Sequence, residues 1–287
     1  MKSARFKGAL VGLAIGDALG ATVEFMKPEQ IRARYGELRD IIGSGWLKLK
    51  AGDVTDDTQM TLCVARSLVA CRGYNPTDMA DRLLAWYRSD SQGTGKACRS
   101  GLDRYESTGE TERPVDEKAA GNGALMRILP IILYFAQQPE LLRQPLFHHA
   151  HLTHNSQVSD AACRCYAELL LRTLSGACLD ELQAVADNYR WRPEEYDGKS
   201  SGYVVETLNT VLHCFFTTTS FEEALIKCVN LGGDADSTSA ILGGLAGAFY
   251  GYEAVPERWK HQLDRQVHDE LLGLEESFAS RMIGVSD

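Results

Sequence analysis

Apolar residues recur along this chain at intervals of three and four, the period of helices with one buried face. The pattern predicts helices over 6–20, 58–71, 77–88, 124–136, 157–174, 179–190, 201–215, 220–231, 240–251 and 256–279. Two-residue alternation is nearly absent, and the β-branched run Thr217-Thr218-Thr219 is short and leads into Ser220, a good N-cap. The chain therefore reads as all-α. Loops are expected at 36–55, 89–100 and 107–123.

Two of these segments carry glycine where helices usually avoid it. Gly8, Gly12, Gly16 and Gly20 fall every fourth residue on one helix face, and Ala240, Gly243, Gly244, Gly247, Ala248 and Gly251 repeat the idea near the far end. Each helical glycine costs about 1 kcal/mol against alanine, so such a face needs a packing return. Two closely approaching, buried helices are expected.

Composition adds bounds. With 287 residues, 44% hydrophobic and 24% charged, the chain can build a sizeable core, and no Pro, Gly and Ser-rich stretch divides it, so one domain over 1–287 is expected. A formal charge of -9 offers no basic stripe for a nucleic-acid backbone. The N-terminal segment lacks the apolar region of a signal peptide, no apolar span is long enough for a bilayer, and the eight cysteines form no Cys-x-x-Cys pair. A cytoplasmic protein with reduced thiols is expected.

The candidate chemistry is acidic. Thr55-Asp56-Asp57-Thr58 and Asp234-Ala235-Asp236-Ser237-Thr238 each open a long apolar helix. One such cluster alone is ordinary helix capping. Two, brought together by the glycine-faced helices, put several carboxylates beside a core, where they repel and lose hydration unless a cation joins them. Oxygen ligands alone suit magnesium, manganese or calcium. Thr55, Asp56, Asp57, Asp234, Asp236 and Ser237 are thus candidate ligands for two divalent cations, roughly 3.5–4 Å apart. An EF-hand is excluded, since counting from Asp234 puts Ser239 at its glycine position and Leu245 at its glutamate position.

Glu24, just past the first glycine-faced helix, can position or deprotonate a water, or else simply pair with Lys27 or Arg32. Gly121-Asn122-Gly123 runs into a helix in the manner of an anion-binding loop. Of the crowded His148, His149, His151 and His154, the last is placed in a site and the others are read as solvated helix-end residues. Gly93-Thr94-Gly95-Lys96 is not a nucleotide-binding loop, because Ala97 stands at its Ser/Thr position.

Taken together, Gly-Asp-Ala-Leu-Gly-Ala-Thr-Val-Glu-Phe at 16–25, Thr-Asp-Asp-Thr at 55–58, Gly-Asn-Gly-Ala-Leu-Met-Arg at 121–127, Thr-His-Asn at 153–155 and Gly-Gly-Asp-Ala-Asp-Ser at 232–237 resemble the ADP-ribosylglycohydrolase family. Within it, Gly45 to Lys50 and Ser200 to Val204 look most like the branch that acts on dinitrogenase reductase. The resemblance implies a compact orthogonal helix bundle with two magnesium or manganese ions that removes ADP-ribose from a modified arginine of a target protein. It implies metal ligands at Thr55, Asp56, Asp57, Asp234, Asp236 and Ser237, and catalytic roles for Glu24 and Asp56. It also implies ADP-ribose contacts at Gly121, Asn122, Gly123 and His154, and an adenine-stacking ring at Tyr203. The chain departs from the family pattern at Gly93 and Ala119, where relatives of this branch carry acids. That departure motivates the alternative of a catalytically weak ADP-ribose-binding or toxin-neutralising protein.

Overall fold

The computed structural model describes residues 2–89, 92–189, 191 and 196–279. Fourteen α-helices fill the described residues, and the only strand-like pairs are the isolated bridges Ser44 with Leu49 and Gly121 with Tyr203. The all-α reading therefore holds. Residues 90 and 91 of one loop expectation and residue 190 of one helix expectation lie outside the described residues.

At the centre, α1 (Lys2–Gly20) runs antiparallel to α12 (Ala235–Tyr250). A Cβ added at Gly8, Gly12, Gly16 or Gly20 would sit 2.2, 2.3, 1.9 or 2.3 Å from the carbonyl oxygen of Gly247, Gly243, Ser239 or Ala235. Side chains on this face are thus excluded by backbone, which is the return for placing four glycines in one helix. Leu10, Leu13, Ile15 and Leu19 fill the other faces of α1 and are essentially inaccessible, so from Gly8 onward α1 is buried on all sides.

Around this pair stand α3 (Asp56–Cys71), α8 (Gln157–Leu174), α10 (Val204–Phe216) and α11 (Phe221–Val229), and α4 (Pro76–Ser89) packs on α3. Their bounds fall within a few residues of those expected from periodicity. Caps explain the starts: Ser156 accepts from Ser159 N at 3.1 Å and Ser220 from Glu223 N at 3.1 Å.

Several expectations need correction. The helix expected over 124–136 is only α6 (Leu129–Tyr134), because Pro130 lacks the N–H of a helix interior and sits in the first turn instead. The helix expected over 256–279 is two, α13 (Glu257–Gln262) and α14 (Arg265–Ala279), separated by Leu263 in extended backbone. Asp264 then caps α14 by accepting from Val267 N at 3.0 Å. Three helices were not expected: α2 (Pro28–Tyr35), α5 (Lys96–Thr108) and α7 (Arg143–His151). The loops expected at 89–100 and 107–123 are shortened by α5. The remaining short helix, α9 (Leu179–Asn188), matches its expected span closely. All eight cysteines are free, and six of them are buried.

Candidate active site: an acidic cluster beside a glycine loop

The antiparallel pairing brings the C-terminus of α1 and the N-terminus of α12 to the same end of the molecule, and α3 begins there too. Asp17, in the last turn of α1, ties that end to the start of α3. It is fully buried, and its carboxylate accepts from Thr55 N at 3.1 Å, Thr58 N at 3.0 Å and Thr58 Oγ1 at 2.5 Å. This residue was not singled out in the sequence, although it lies inside the Gly16-to-Phe25 motif. An acid next to a helix-spaced glycine at a helix C-terminus, where the dipole disfavours it, was the available signal.

Thr55 caps α3 by accepting from Asp57 N at 3.3 Å, which sets Asp56 and Asp57 in its first turn. Asp236 occupies the matching place in α12, so both helix dipoles favour the carboxylates. The two clusters touch: Ser237 Oγ donates to Asp57 Oδ2 at 3.2 Å, and Thr55 Oγ1 donates to the same oxygen at 3.2 Å. Carboxylate oxygens of Glu24, Asp234 and Asp236 all lie within 4.8 Å of one another. Asp57 Oδ1 is buried with no hydrogen-bond partner. Three convergent acids and an orphaned buried oxygen, all hard donors, fit a divalent cation better than they fit a metal-free core.

Glu24 is thus a member of the cluster. Among the described residues it makes no ion pair, so the pairing with Lys27 or Arg32 is not formed. Its Oε2 accepts from Trp46 Nε1 instead. Trp46 lies half exposed in the loop after α2, with its ring centroid 5.6 Å from that of exposed Phe25. Phe25, Ser44 and Lys48 all hold left-handed backbone, at φ 62, 72 and 57. Such strain in three non-glycine residues gathers at the rim of the acid cluster, as it does at functional sites.

Burial pushes every acid here upward, and repulsion adds to it at Glu24, Asp56, Asp57 and Asp236. Glu24 rises to about 7, chiefly through burial and then the charge of Asp234, against the pull of the Trp46 hydrogen bond. Asp56 rises to about 7 through burial and the charges of Asp17, Glu24 and Asp234. Asp57 and Asp236 go well above the usual carboxylate range, again from burial first. A raised carboxylate pKa means that the folded state holds more protons than the unfolded one. In chelator, this stabilisation is therefore full below about pH 4 and is lost as pH rises through about 7, by on the order of a few kcal/mol. Magnesium or manganese should remove that slope, and melting curves at pH 5 and 8 with and without the ion check it.

On the other wall, the Gly121–Gly123 loop pairs with the segment before α10: Asn122 N donates to Gly202 O at 3.0 Å and Val204 N to Ala120 O at 3.0 Å. Asn122 is spent on the cluster, since Nδ2 donates to Asp234 Oδ2 at 2.5 Å and to Thr207 Oγ1 at 3.1 Å. His154 is buried beside the loop, with Nε2 3.1 Å from where a Gly121 Cβ would be. Tyr203, at the N-cap of α10, is 45% exposed and hence no core tyrosine. The structure brings together all twelve candidate site residues of the sequence.

The other histidines are corrected: His149 is buried, donates from Nδ1 to Leu146 O at 3.2 Å, and has its pKa pushed down to about 3 by burial and the Arg127 charge. His148 and His151 are half-buried, not solvated, and His151 Nε2 contacts Asp160 Oδ1 at 2.9 Å. Gly93 also belongs to this site. Its φ is +88, and a Cβ there would lie 3.1 Å from Asp56 Oδ1, so an acid at this position would be strained and would face another carboxylate.

The family model for ADP-ribosylglycohydrolase matches residues 2–286. The chain belongs to the ADP-ribosylglycohydrolase family. It is 43% identical to the ADP-ribosyl-[dinitrogen reductase] glycohydrolase of Rhodospirillum rubrum, over 93% of this chain and 92% of that one. It is 33% identical to the ADP-ribosylarginine hydrolase Tri1 of Pseudomonas putida, over 94% of this chain and 77% of that one. A solved structure described as an ADP-ribosylglycohydrolase-related protein complex superposes with a TM-score of 0.84 at 36% identity, covering 97% of this chain and 98% of that one. The glycohydrolase is accordingly an enzyme of glycosidic-bond hydrolysis. Its described residues contain no helix long and apolar enough to cross a membrane.

Proposed function

We propose that this glycohydrolase removes ADP-ribose from a modified arginine side chain of a target protein, using two divalent cations, magnesium or manganese, in the acidic cluster. Dinitrogenase reductase or another bacterial protein is the target class, the cytoplasm the setting, and the whole chain one working domain. The observation that carries the reading is the convergence of Glu24, Asp234 and Asp236 next to the unpartnered Asp57 Oδ1, on the wall facing the glycine loop. Similarity to an arginine-specific and a dinitrogen reductase-directed hydrolase supports the substrate class.

Thr55, Asp56, Asp57, Asp234, Asp236 and Ser237 would hold the cations, which when bound polarise ribose hydroxyls and acidify water. Glu24 or Asp56, each raised to about 7, is suited to take a proton from the attacking water near neutral pH. Trp46 holds Glu24 in place for that task. The water oxygen bonds to the anomeric carbon as the C–N bond breaks, and the guanidine takes up a proton and leaves. Carboxylates around the ring stabilise the oxocarbenium-like transition state. The Gly121–Gly123 loop and His154 hold ADP-ribose, and Tyr203 stacks on adenine.

The test is release of free ADP-ribose from an arginine-modified protein, with magnesium or manganese and with chelator. Cation-dependent release from arginine and none from a serine-linked conjugate is expected. Tight binding of ADP-ribose without release supports the second reading, a catalytically weak binding protein, which Gly93 favours because it offers no acid beside Asp56. For the adenine contact, Tyr203→Ala should weaken ADP-ribose binding by about 1–3 kcal/mol. The melting temperature should hold, because the ring is exposed. Titration calorimetry and melting on the same samples check both.

A further inference from the structure

Arg127 sits directly behind the Gly121–Gly123 loop and is fully buried. Its partners among the described residues are all neutral. Nη2 donates to Thr153 Oγ1 at 2.6 Å and to His149 O at 3.4 Å, Nη1 donates to Cys98 Sγ at 3.5 Å, and Nε has no partner. No carboxylate among the described residues forms an ion pair with it. A guanidinium is a permanent positive charge, so this is a buried charge with no ion-pair partner among the described residues. Such a charge is costly to bury and is normally paired.

The hydrogens along this chain of contacts can be assigned from the partners each group has. Thr153 Oγ1 has one hydrogen, and because an arginine only donates, the hydroxyl must accept from Arg127. Its own hydrogen needs an acceptor, and among the described residues the only one within reach of this hydroxyl is His154 Nδ1, 2.7 Å away. That assignment makes His154 Nδ1 the acceptor and puts the ring hydrogen on Nε2. Nε2 lies 3.1 Å from the place of a Gly121 Cβ and 3.3 Å from that of a Gly123 Cβ, against the loop where only glycine leaves room. Burial first, then the charges of Arg127 and Arg113, keep the ring neutral by driving its pKa well below the ordinary value.

We propose that Arg127 and Thr153 are positioning residues that lock His154 as a neutral Nε2–H donor and preset the glycine loop for the anionic diphosphate of the ligand. The missing counter-charge of Arg127 is then supplied when the ligand binds. This rests on the ADP-ribose reading above, and deepens it by naming what makes the loop selective for an anion. Arg127 acts through Thr153 and His154 and through its field, without touching the reacting atoms.

Long-range proton–nitrogen spectra of histidine-labelled protein at pH 7 test the lock directly and need neither substrate nor activity. Wild-type His154 should show Nδ1 unprotonated and Nε2 protonated; an Nδ1–H tautomer or an imidazolium overturns the proposal. Thr153→Val should free the tautomer and weaken ADP-ribose about tenfold or more in calorimetry, with adenosine binding unchanged, and Thr153→Ser should restore both. Arg127→Met should weaken ADP-ribose similarly while holding or raising the melting temperature, whereas a merely structural arginine would lower it. ADP-ribose affinity that stays at the wild-type level in Thr153→Val, despite a shifted tautomer, also overturns the lock. If wild-type protein fails to bind ADP-ribose at all, the diphosphate assignment falls with the ADP-ribose reading, and the spectra report separately on the tautomer.

Discussion

Asp236→Ala is expected to abolish cation-dependent release of ADP-ribose, by roughly 10³-fold or more in single-turnover rate, while the helices remain folded. Asp236 is buried in the first turn of α12, within 4.8 Å of the carboxylates of Glu24 and Asp234, so what its removal takes away is chiefly charge and oxygens that could hold a cation. Removing it also relieves the repulsion that raises its neighbours. The variant should then melt no lower than wild type in chelator, and should lose most of the stabilisation that magnesium or manganese gives. Asp57→Ala should behave alike, because its Oδ2 joins the two clusters through Ser237 and its Oδ1 has no protein partner to leave stranded. Wild-type turnover in either variant would sink the two-cation account. Loss of folding in chelator would show instead that the acids hold the helix ends together, as Asp17 does between α1 and α3.

The contrast between those roles also explains what the sequence made legible. Glycines at every fourth position announce a helix crossing, since nothing but close backbone contact offsets their cost, and both partners were readable before any coordinates. Acid pairs opening apolar helices likewise announce their own caps. Helix α5 was missed because its face, Cys98, Gly101, Leu102 and Tyr105, is narrow and set in polar sequence, and Gly101 reads as a breaker. The fold needs that glycine, as a Cβ there would meet Leu152 O at 2.5 Å. Helix α7 was obscured by its histidines, which invited a chemical reading when Leu146, His149 and Ala150 were simply its buried side. Trp46 carried no periodicity at all: its contact with Glu24 depends on a loop with left-handed residues at Ser44 and Lys48, a path that local sequence does not dictate. The Arg127, Thr153 and His154 chain was visible only as three residues in two motifs. That they form one hydrogen-bonded line follows from tertiary packing.

The second large effect concerns the crossing itself. Gly16→Ala adds one methyl group, and that methyl would lie 1.9 Å from Ser239 O and 2.4 Å from its carbonyl carbon, both backbone atoms. No side-chain rotation can relieve this, so α1 and α12 must separate or the chain must fail to fold. Overpacking commonly costs about 1–3 kcal/mol where side chains can give way, and here the loss should exceed that range. Gly273→Ala in α14 is the matched control: nothing lies within 4 Å of its added Cβ, and better helix propensity should stabilise the protein by about 1 kcal/mol. Urea unfolding of the two variants, with the slope compared to wild type, separates the outcomes. Because Gly16 stands one residue before Asp17, which accepts from Thr55 and Thr58, any Gly16→Ala protein that does fold should bind its cations weakly, as the N-termini of α3 and α12 no longer meet. A folded, stable and fully active Gly16→Ala enzyme would mean that the close approach of the two helices is not what brings the acids together.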